Sequence, residues 1–334
     1  MIYKDINYND IFPKDIREDF LFPLDTYRAF LEGLSINPLP FFHKWSDINT
    51  QIIIDKYWKE NTKSDWKWSL TFPLFSLLEN YILSIHNPII IGFSGLPGSG
   101  KSTLGFWVDS VAKELSLDIK VISLDDFYLP GQEMDIAMKG NPWNVPRGFP
   151  GSHSLDLLHQ SLDVFLKTGI LRSPTFDKSL RDGKGDRSGW CELKSKILIL
   201  EGWFVGCEPV SDLNNIDSLS EDKFNLSLSQ DEKDYRSLIQ ESLIKYSKIW
   251  KKFDKIWHLK SSHFNNTILW KTQQEEEMIK IRGSGLKGNN LTDFIRMIQS
   301  SIPQQSLSFI NADTTVQINQ HRRIDKLLTT NYHF

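Results

Sequence analysis

The sequence predicts an α/β fold: a parallel β-sheet covered by helices on both faces, preceded by a helical extension. Three observations lead there. From Pro88 onward, short apolar segments alternate with amphipathic ones, the pattern of strands buried on both sides. A glycine-rich run, Gly95–Ser102, joins the first apolar segment to the first amphipathic one. The first 87 residues hold no glycine except Gly33 and carry aromatics at helical spacing.

Taken in order, residues 1–87 form the helical extension. Phe20, Phe22, Tyr27 and Phe30 fall at roughly helical spacing, as do Leu74, Leu77, Leu78, Tyr81 and Ile82, with Thr71 and Pro73 as a helix start. Aromatics spaced in this way fill a core more readily than they line a ligand box. Residues 88–334 form the α/β domain. Ile89–Phe93, Lys120–Ser123, Ile197–Leu200 and Lys255–Leu259 read as strands. Lys101–Leu115, Leu155–Lys167, Leu243–Lys252 and Asn266–Arg282 read as helices, the last stopped by Gly283. Residues 211–236, dominated by Ser, Asn, Asp and Glu, read as a mobile surface insertion.

The composition excludes several classes. The 334 residues are 40% hydrophobic and 24% charged, ordinary for a globular protein able to bury a sizeable core. A net charge of -3 offers no global field for nucleic acid or an anionic membrane. Two cysteines, Cys191 and Cys207, make neither a disulfide framework nor a metal pattern and fit a reducing compartment. No apolar run reaches the length of a membrane span, and residues 1–20 lack the apolar stretch of a signal peptide. The expected location is cytoplasmic.

The run Gly95-Leu96-Pro97-Gly98-Ser99-Gly100-Lys101-Ser102 fits GxxxxGK[ST], and an apolar strand leads in while an amphipathic helix leads out. The backbone must wrap a polyphosphate with its N–H groups inward, and glycine supplies the dihedrals and the close approach. Lys101 places a charge near the β- and γ-phosphates, Ser102 offers a hydroxyl to Mg²⁺, and the helix N-terminus adds its positive end. Thr103 is expected beside the α-phosphate. A P-loop NTPase-like fold that binds Mg·ATP follows.

In such a sheet ligands sit beyond the carboxyl ends of the strands. Two ends carry acids: Asp125 and Asp126 after Lys120–Ser123, and Glu201 after Ile197–Leu200. Phosphoryl transfer to an alcohol needs a carboxylate to take the hydroxyl proton and others to hold Mg²⁺ or its waters. Asp125 is expected as the base, with Glu201 and Asp126 beside Ser102 at the metal. Asp126 could equally cap a turn. The glycine-punctuated loop Lys178–Arg187 suits a cationic lid, with Arg187 stabilising the transferring phosphoryl group, although a solvated turn would look the same. Arg147 and His153, before the next helix, could bind an anionic acceptor.

Along the chain, the phosphate loop, Ser123-Leu-Asp-Asp-Phe-Tyr128, Arg147-Gly-Phe-Pro-Gly-Ser-His153, Pro174-Thr-Phe-Asp177-Lys178, Gly185-Asp186-Arg187 and Leu200-Glu201-Gly202-Trp203 resemble the D-glycerate 3-kinases of plants, fungi and cyanobacteria. That family stands with phosphoribulokinase, uridine kinase and pantothenate kinase. The likeness covers about Ile89 to Arg323, including Trp270, Gln274-Glu275 and Gly283–Leu286. It implies ATP- and Mg²⁺-dependent phosphorylation of D-glycerate to 3-phospho-D-glycerate, as in photorespiratory glycolate salvage. It supports Asp125 as base and puts Asp177 and Lys178 with Arg147 and His153 on the acceptor side. Ser154 departs from the acid that the family pattern leads one to expect, and Lys271 from an arginine. Two other readings stay open: another kinase of the same group, and a partner-binding P-loop NTPase with no acceptor. No NKxD motif supports a guanine-specific switch. The cluster Arg147, His153 and Lys178 suits a small anion better than an uncharged nucleoside.

Overall fold

The computed structural model describes residues 20–58, 63–210, 227–283 and 285–330. Helices α1 (Leu24–Gly33), α2 (Pro38–Trp45), α3 (Ile48–Asp55) and α4 (Phe72–Ser84) precede the first strand. A short helical turn, Ser64–Trp66, and a π-turn, Lys67–Thr71, run directly into α4. Thr71 and Pro73 therefore lie inside a longer helical run and do not begin it. Pro73 cannot donate a backbone hydrogen bond, and the wider turn just before it absorbs the break in the ladder.

The aromatics of this region are core. Tyr27, Phe42, Trp45, Phe72 and Phe75 are almost wholly buried, and Trp45 stacks on Phe72 with centroids 4.5 Å apart. They share one continuous core with Phe93, Ile199, Trp257 and Leu259 of the sheet. Truncating a phenylalanine so buried typically costs about 3–5 kcal/mol. Asp65, fully buried, adds a polar tie by accepting from Arg323 Nε and Ile324 N, both at 2.9 Å.

The chain then alternates: β1 (Ile89–Gly95), α5 (Lys101–Glu114), β2 (Ile119–Ser123), a 3₁₀ turn (Leu124–Phe127), α6 (Gly131–Ala137) and α7 (Leu155–Thr168). After these come β3 (Ile170–Asp177), β4 (Asp186–Lys194), β5 (Ile197–Gly202), α8 (Gln230–Trp250), β6 (Lys255–Ser261) and α9 (Asn266–Arg282). The described chain closes with α10 (Gly288–Ser300), α11 (Gln304–Ser308), β7 (Thr314–Ile318) and β8 (Ile324–Thr329). The main sheet runs β2-β5-β1-β6-β7-β8, parallel except for the antiparallel edge strand β8. All four strands expected from the sequence belong to it.

Alternate residues of β1 and β5 enter opposite cores: Ile91, Ile197 and Ile199 face the N-terminal helices and α5, while Ile90, Leu198 and Leu200 face α7 and α8. Strands buried on both sides must be apolar throughout, which is why they were legible. The pair β3–β4 forms a separate antiparallel hairpin. Its strands mix Arg, Ser, Thr, Glu and Lys with few apolar residues, and so carried no strand signal.

The expected insertion at 211–236 ends in a helix. Residues 211–226 lie outside the described residues, but 230–236 are the first turns of α8, which begins thirteen residues before the expected Leu243. Ser229 and Glu232 form a reciprocal cap on that end, with Ser229 Oγ accepting from Glu232 N at 3.2 Å and Glu232 accepting from Ser229 N at 2.9 Å. Buried Glu232 also pairs with Arg296, so its polarity serves tertiary contacts and not a loop. Among the described residues, no helix is long and apolar enough to cross a membrane. Cys191 and Cys207 are both free.

Candidate active site

The carboxyl end of β1 runs straight into the phosphate loop. Gly98 and Gly100 hold left-handed backbone, with φ of +76° and +104°. A Cβ at Gly98 would come within 2.7 Å of the Trp270 backbone, so glycine here serves both dihedral and packing. The loop's carbonyls are tied outward: Pro97 O accepts from Thr267 Oγ1 at 2.9 Å and Gly98 O from Arg322 Nε at 3.0 Å. Leu96 is buried in the core, and the Ser99 side chain is buried behind the loop.

Register places Glu201 beside the loop, because β5 lies between β1 and β2, with Glu201 opposite Phe93 on one side and Ser123 on the other. Its carboxylate accepts from Ser102 Oγ at 2.9 Å and stands 3.7 Å from Lys101 Nζ. A hydroxyl and a carboxylate at one point, beside a loop built for phosphate, fit a Mg²⁺ that completes its shell with water and phosphate oxygens. Among the described residues, no group of three or more His, Cys, Asp and Glu could hold a metal ion.

Asp125 sits on the 3₁₀ turn after β2, one strand from Glu201. Its Oδ2 accepts from Lys178 Nζ at 2.6 Å, across 53 residues of sequence. Burial alone would raise its pKa, but the Lys178 ammonium, with Lys101 further off, holds the carboxyl well below the usual range. Asp125 in turn raises the Lys178 ammonium.

Asp126 departs from expectation. Its carboxylate turns back to accept from Ser123 N at 3.3 Å, as the second half of a cap on the same turn, and it does not line the cleft. Burial first, and the neighbouring Asp125 charge after it, push it up to about 6. A helix cap, and not a metal ligand, is what the geometry gives it.

A cleft of about 900 Å³ joins these groups. Pro97, Gly98, Gly100–Thr103, Asp125, Lys178 and Glu201 line it, together with Tyr128, Trp203, Lys271, Gln274 and Phe294. Four expected acceptor-side and lid residues stand elsewhere. Arg147 Nη1 donates to Gly183 O at 2.9 Å and also to Lys184 O, and its guanidinium packs on Phe176. It braces the tip of the β3–β4 hairpin. Arg187, on β4, donates Nε to Tyr128 O at 3.3 Å. Asp177 caps the hairpin turn by accepting from Ser179 N at 2.8 Å. His153 is buried behind Tyr128, stacked on it at 4.5 Å, and its Nδ1 lies 2.7 Å from Tyr246 Oη. Burial pushes its imidazole down to about 4, so it is neutral near pH 7. Carbonyls distant in sequence hold Arg147 and the Nε of Arg187, a contact that a sequence cannot show, while Arg187 Nη2 is buried without a partner.

Sequence reasoning passed over two sets of cleft residues. Lys271 packs on the phosphate loop from α9, paired with Glu275 and 4.8 Å from the Phe294 ring centroid. Its signal was present only as a departure from the family pattern. Tyr57, Trp58 and Trp66 reach the cleft from the N-terminal region, and nothing in their spacing set them apart from core aromatics.

No family model matches the chain. The uncharacterised kinase mug58 of Schizosaccharomyces pombe is 30% identical over 251 residues, spanning 70% of this chain and 86% of that protein. The chain belongs to this family of P-loop kinases. The chloroplastic D-glycerate 3-kinase of Arabidopsis thaliana is 29% identical to the kinase over 246 residues, 67% of this chain but only about half, 51%, of that protein. The solved D-glycerate 3-kinase of Cryptococcus neoformans overlays the kinase with a TM-score of 0.65 at 24% identity, covering 77% of this chain and 96% of that one. That overlay speaks for the fold of the kinase. The resemblance read from the motifs thus stands.

Proposed function

We propose that the kinase transfers the γ-phosphate of Mg·ATP to a hydroxyl of D-glycerate, giving 3-phospho-D-glycerate. The observation that carries this reading is the meeting of two half-sites in one cleft: Lys101, Ser102 and Glu201 on the phosphate loop side, and the Asp125–Lys178 pair opposite. A partner-binding NTPase gives the second half no task.

In this reading Lys101 draws charge from the transferring phosphoryl group, while Ser102 and Glu201 would hold Mg²⁺ and its waters. The metal would neutralise phosphate charge that the protein leaves unmatched. Asp125 takes the proton of the acceptor hydroxyl as its oxygen bonds to the γ-phosphorus and the bond to ADP breaks.

The Lys178 contact supports an anionic acceptor. A carboxylate clamped by an ammonium at 2.6 Å is a poor base. An acceptor carboxylate offers Lys178 a second anion, loosens its hold on Asp125 and restores basicity when a hydroxyl is in place. An uncharged nucleoside or glycerol brings no such release. The relatedness to a D-glycerate 3-kinase supports D-glycerate as the acceptor, and a role in glycolate salvage would follow from it. Phosphorus NMR of the reaction with D-glycerate, beside pantothenate, uridine and glycerol, tests the proposal. A 3-phosphate ester from D-glycerate alone is expected, and turnover of uridine in preference would replace it with a nucleoside kinase.

A further inference from the structure

We propose that the N-terminal region supplies the binding site for the purine base of the nucleotide. The inference rests on the phosphate loop reading above, which fixes where the triphosphate lies. Past that loop the cleft continues along α5, between Phe106 and Trp107 on the helix and Tyr57, Trp58 and Trp66 from the N-terminal region.

Phe106 and Trp107 follow Ser102 and Thr103 by one helical turn on the same side of α5, about 6 Å further along its axis. A base joined through ribose to phosphates held at Ser102 and Thr103 falls on that turn. Trp66 stands against the other edge of the loop, close enough that a Cβ on Gly100 would meet its ring at 3.0 Å. Its indole is fixed by donating Nε1 to Arg322 O at 2.5 Å. Trp58 meets Trp107 edge to face, with centroids 5.2 Å apart. The walls are therefore rigid aromatic planes held by tertiary contacts.

One feature of these walls has no structural use. Phe106 is 65% exposed, on a helix whose other large apolar side chains are buried. Trp107 is 3% exposed and lines the cleft, yet its Nε1 has no hydrogen-bond partner. That nitrogen is closed to solvent, so a base meets the indole ring and gains no bond from its N–H. Stacking on aromatic faces tolerates any base but is strongest for the larger ring system.

The test compares ATP with inorganic tripolyphosphate, both with Mg²⁺, by calorimetric titration of the full chain. Phe106→Ala removes an exposed ring and leaves the core intact. Trp107→Phe trims the indole to a phenyl ring and so narrows the aromatic wall, with tripolyphosphate binding as the check that α5 and the loop are intact. Phe106→Ala is expected to weaken ATP binding about 10-fold and Trp107→Phe about 3-fold, each leaving tripolyphosphate within about 2-fold, because the base loses a stacking face in the first and part of one in the second. Unchanged ATP affinity in both variants, with tripolyphosphate still bound, overturns the base site alone. Equal losses for both ligands also overturn it, since the rings would then act by shaping the loop. A wild-type protein that binds neither ligand would remove the phosphate loop reading, and the base site with it.

Discussion

The phosphate loop and the β3–β4 hairpin face each other across one cleft, but they are built in opposite ways. The loop is contiguous: Gly95 to Thr103 carry the turn, the cation, the hydroxyl and the helix N-terminus in one stretch. The hairpin side is assembled at long range. Lys178 reaches Asp125 across 53 residues, Arg147 clamps the hairpin tip from 36 residues away, and His153 is set by Tyr246, 93 residues on. A local site survives changes elsewhere and fails abruptly when one of its own residues is lost. An assembled site has graded contributors, some touching ligand and others only holding those that do.

The largest effect should come from the local side. Lys101→Ala is expected to lower kcat by about three orders of magnitude or more, with the fold kept, because a charge is lost where negative charge is spread in the transition state. Steady-state kinetics beside a circular dichroism spectrum check it, and near-normal turnover would break the comparison outright.

Next comes the base. Asp125→Asn should cut transfer by about 10²–10⁴-fold while ATP binding stays measurable. Loss of Mg·ATP affinity instead would move Asp125 to the metal.

Lys178→Met should raise the KM for D-glycerate by about 100-fold and leave the KM for ATP unchanged, the mark of a charge-assisted acceptor contact. Removing the ammonium also frees Asp125, so kcat at saturation should hold up better than KM. A fall in kcat with KM unaltered would assign Lys178 to the phosphoryl group.

The assembled side should also show in the pH dependence of stability. The His153 pKa is about 4 in the folded state against an ordinary 6.5, so the unfolded chain binds its proton first as pH falls. Stability from this residue is complete above about pH 6.5 and is lost on acidification, by about 2 kcal/mol between pH 7 and 5. Denaturant titrations of wild type and His153→Gln check it. An equal slope in both would mean that the loss arises elsewhere, with buried His258 next in line.

The smallest effect is expected at Arg147. Lysine cannot span Gly183 O and Lys184 O or stack on Phe176 as a guanidinium does. Arg147→Lys should loosen the hairpin tip and raise the glycerate KM only a few-fold. A rise as large as that of Lys178→Met would return Arg147 to the acceptor itself.

The sequence by itself determined the sheet's buried strands, the phosphate loop and the two acids at strand ends. Each is written locally: strands covered on both faces must be apolar at every position, and a polyphosphate cradle must have its glycines, lysine and hydroxyl in fixed order. Only the tertiary structure decided which polar residues face the cleft. Arg147, Arg187 and Asp177 carry the right chemistry at plausible places, yet carbonyls of distant segments hold the two arginines and Asp177 caps its own turn. Asp125 and Asp126 are neighbours of one type, and a 3₁₀ turn sends one to the cleft and the other to its own cap. Nothing in their spacing marks Trp58 and Trp66, and only packing brings them to the cleft. Hydrogen-bond partners and exposed faces are set by which segments meet in space, and periodicity along the chain carries no record of that.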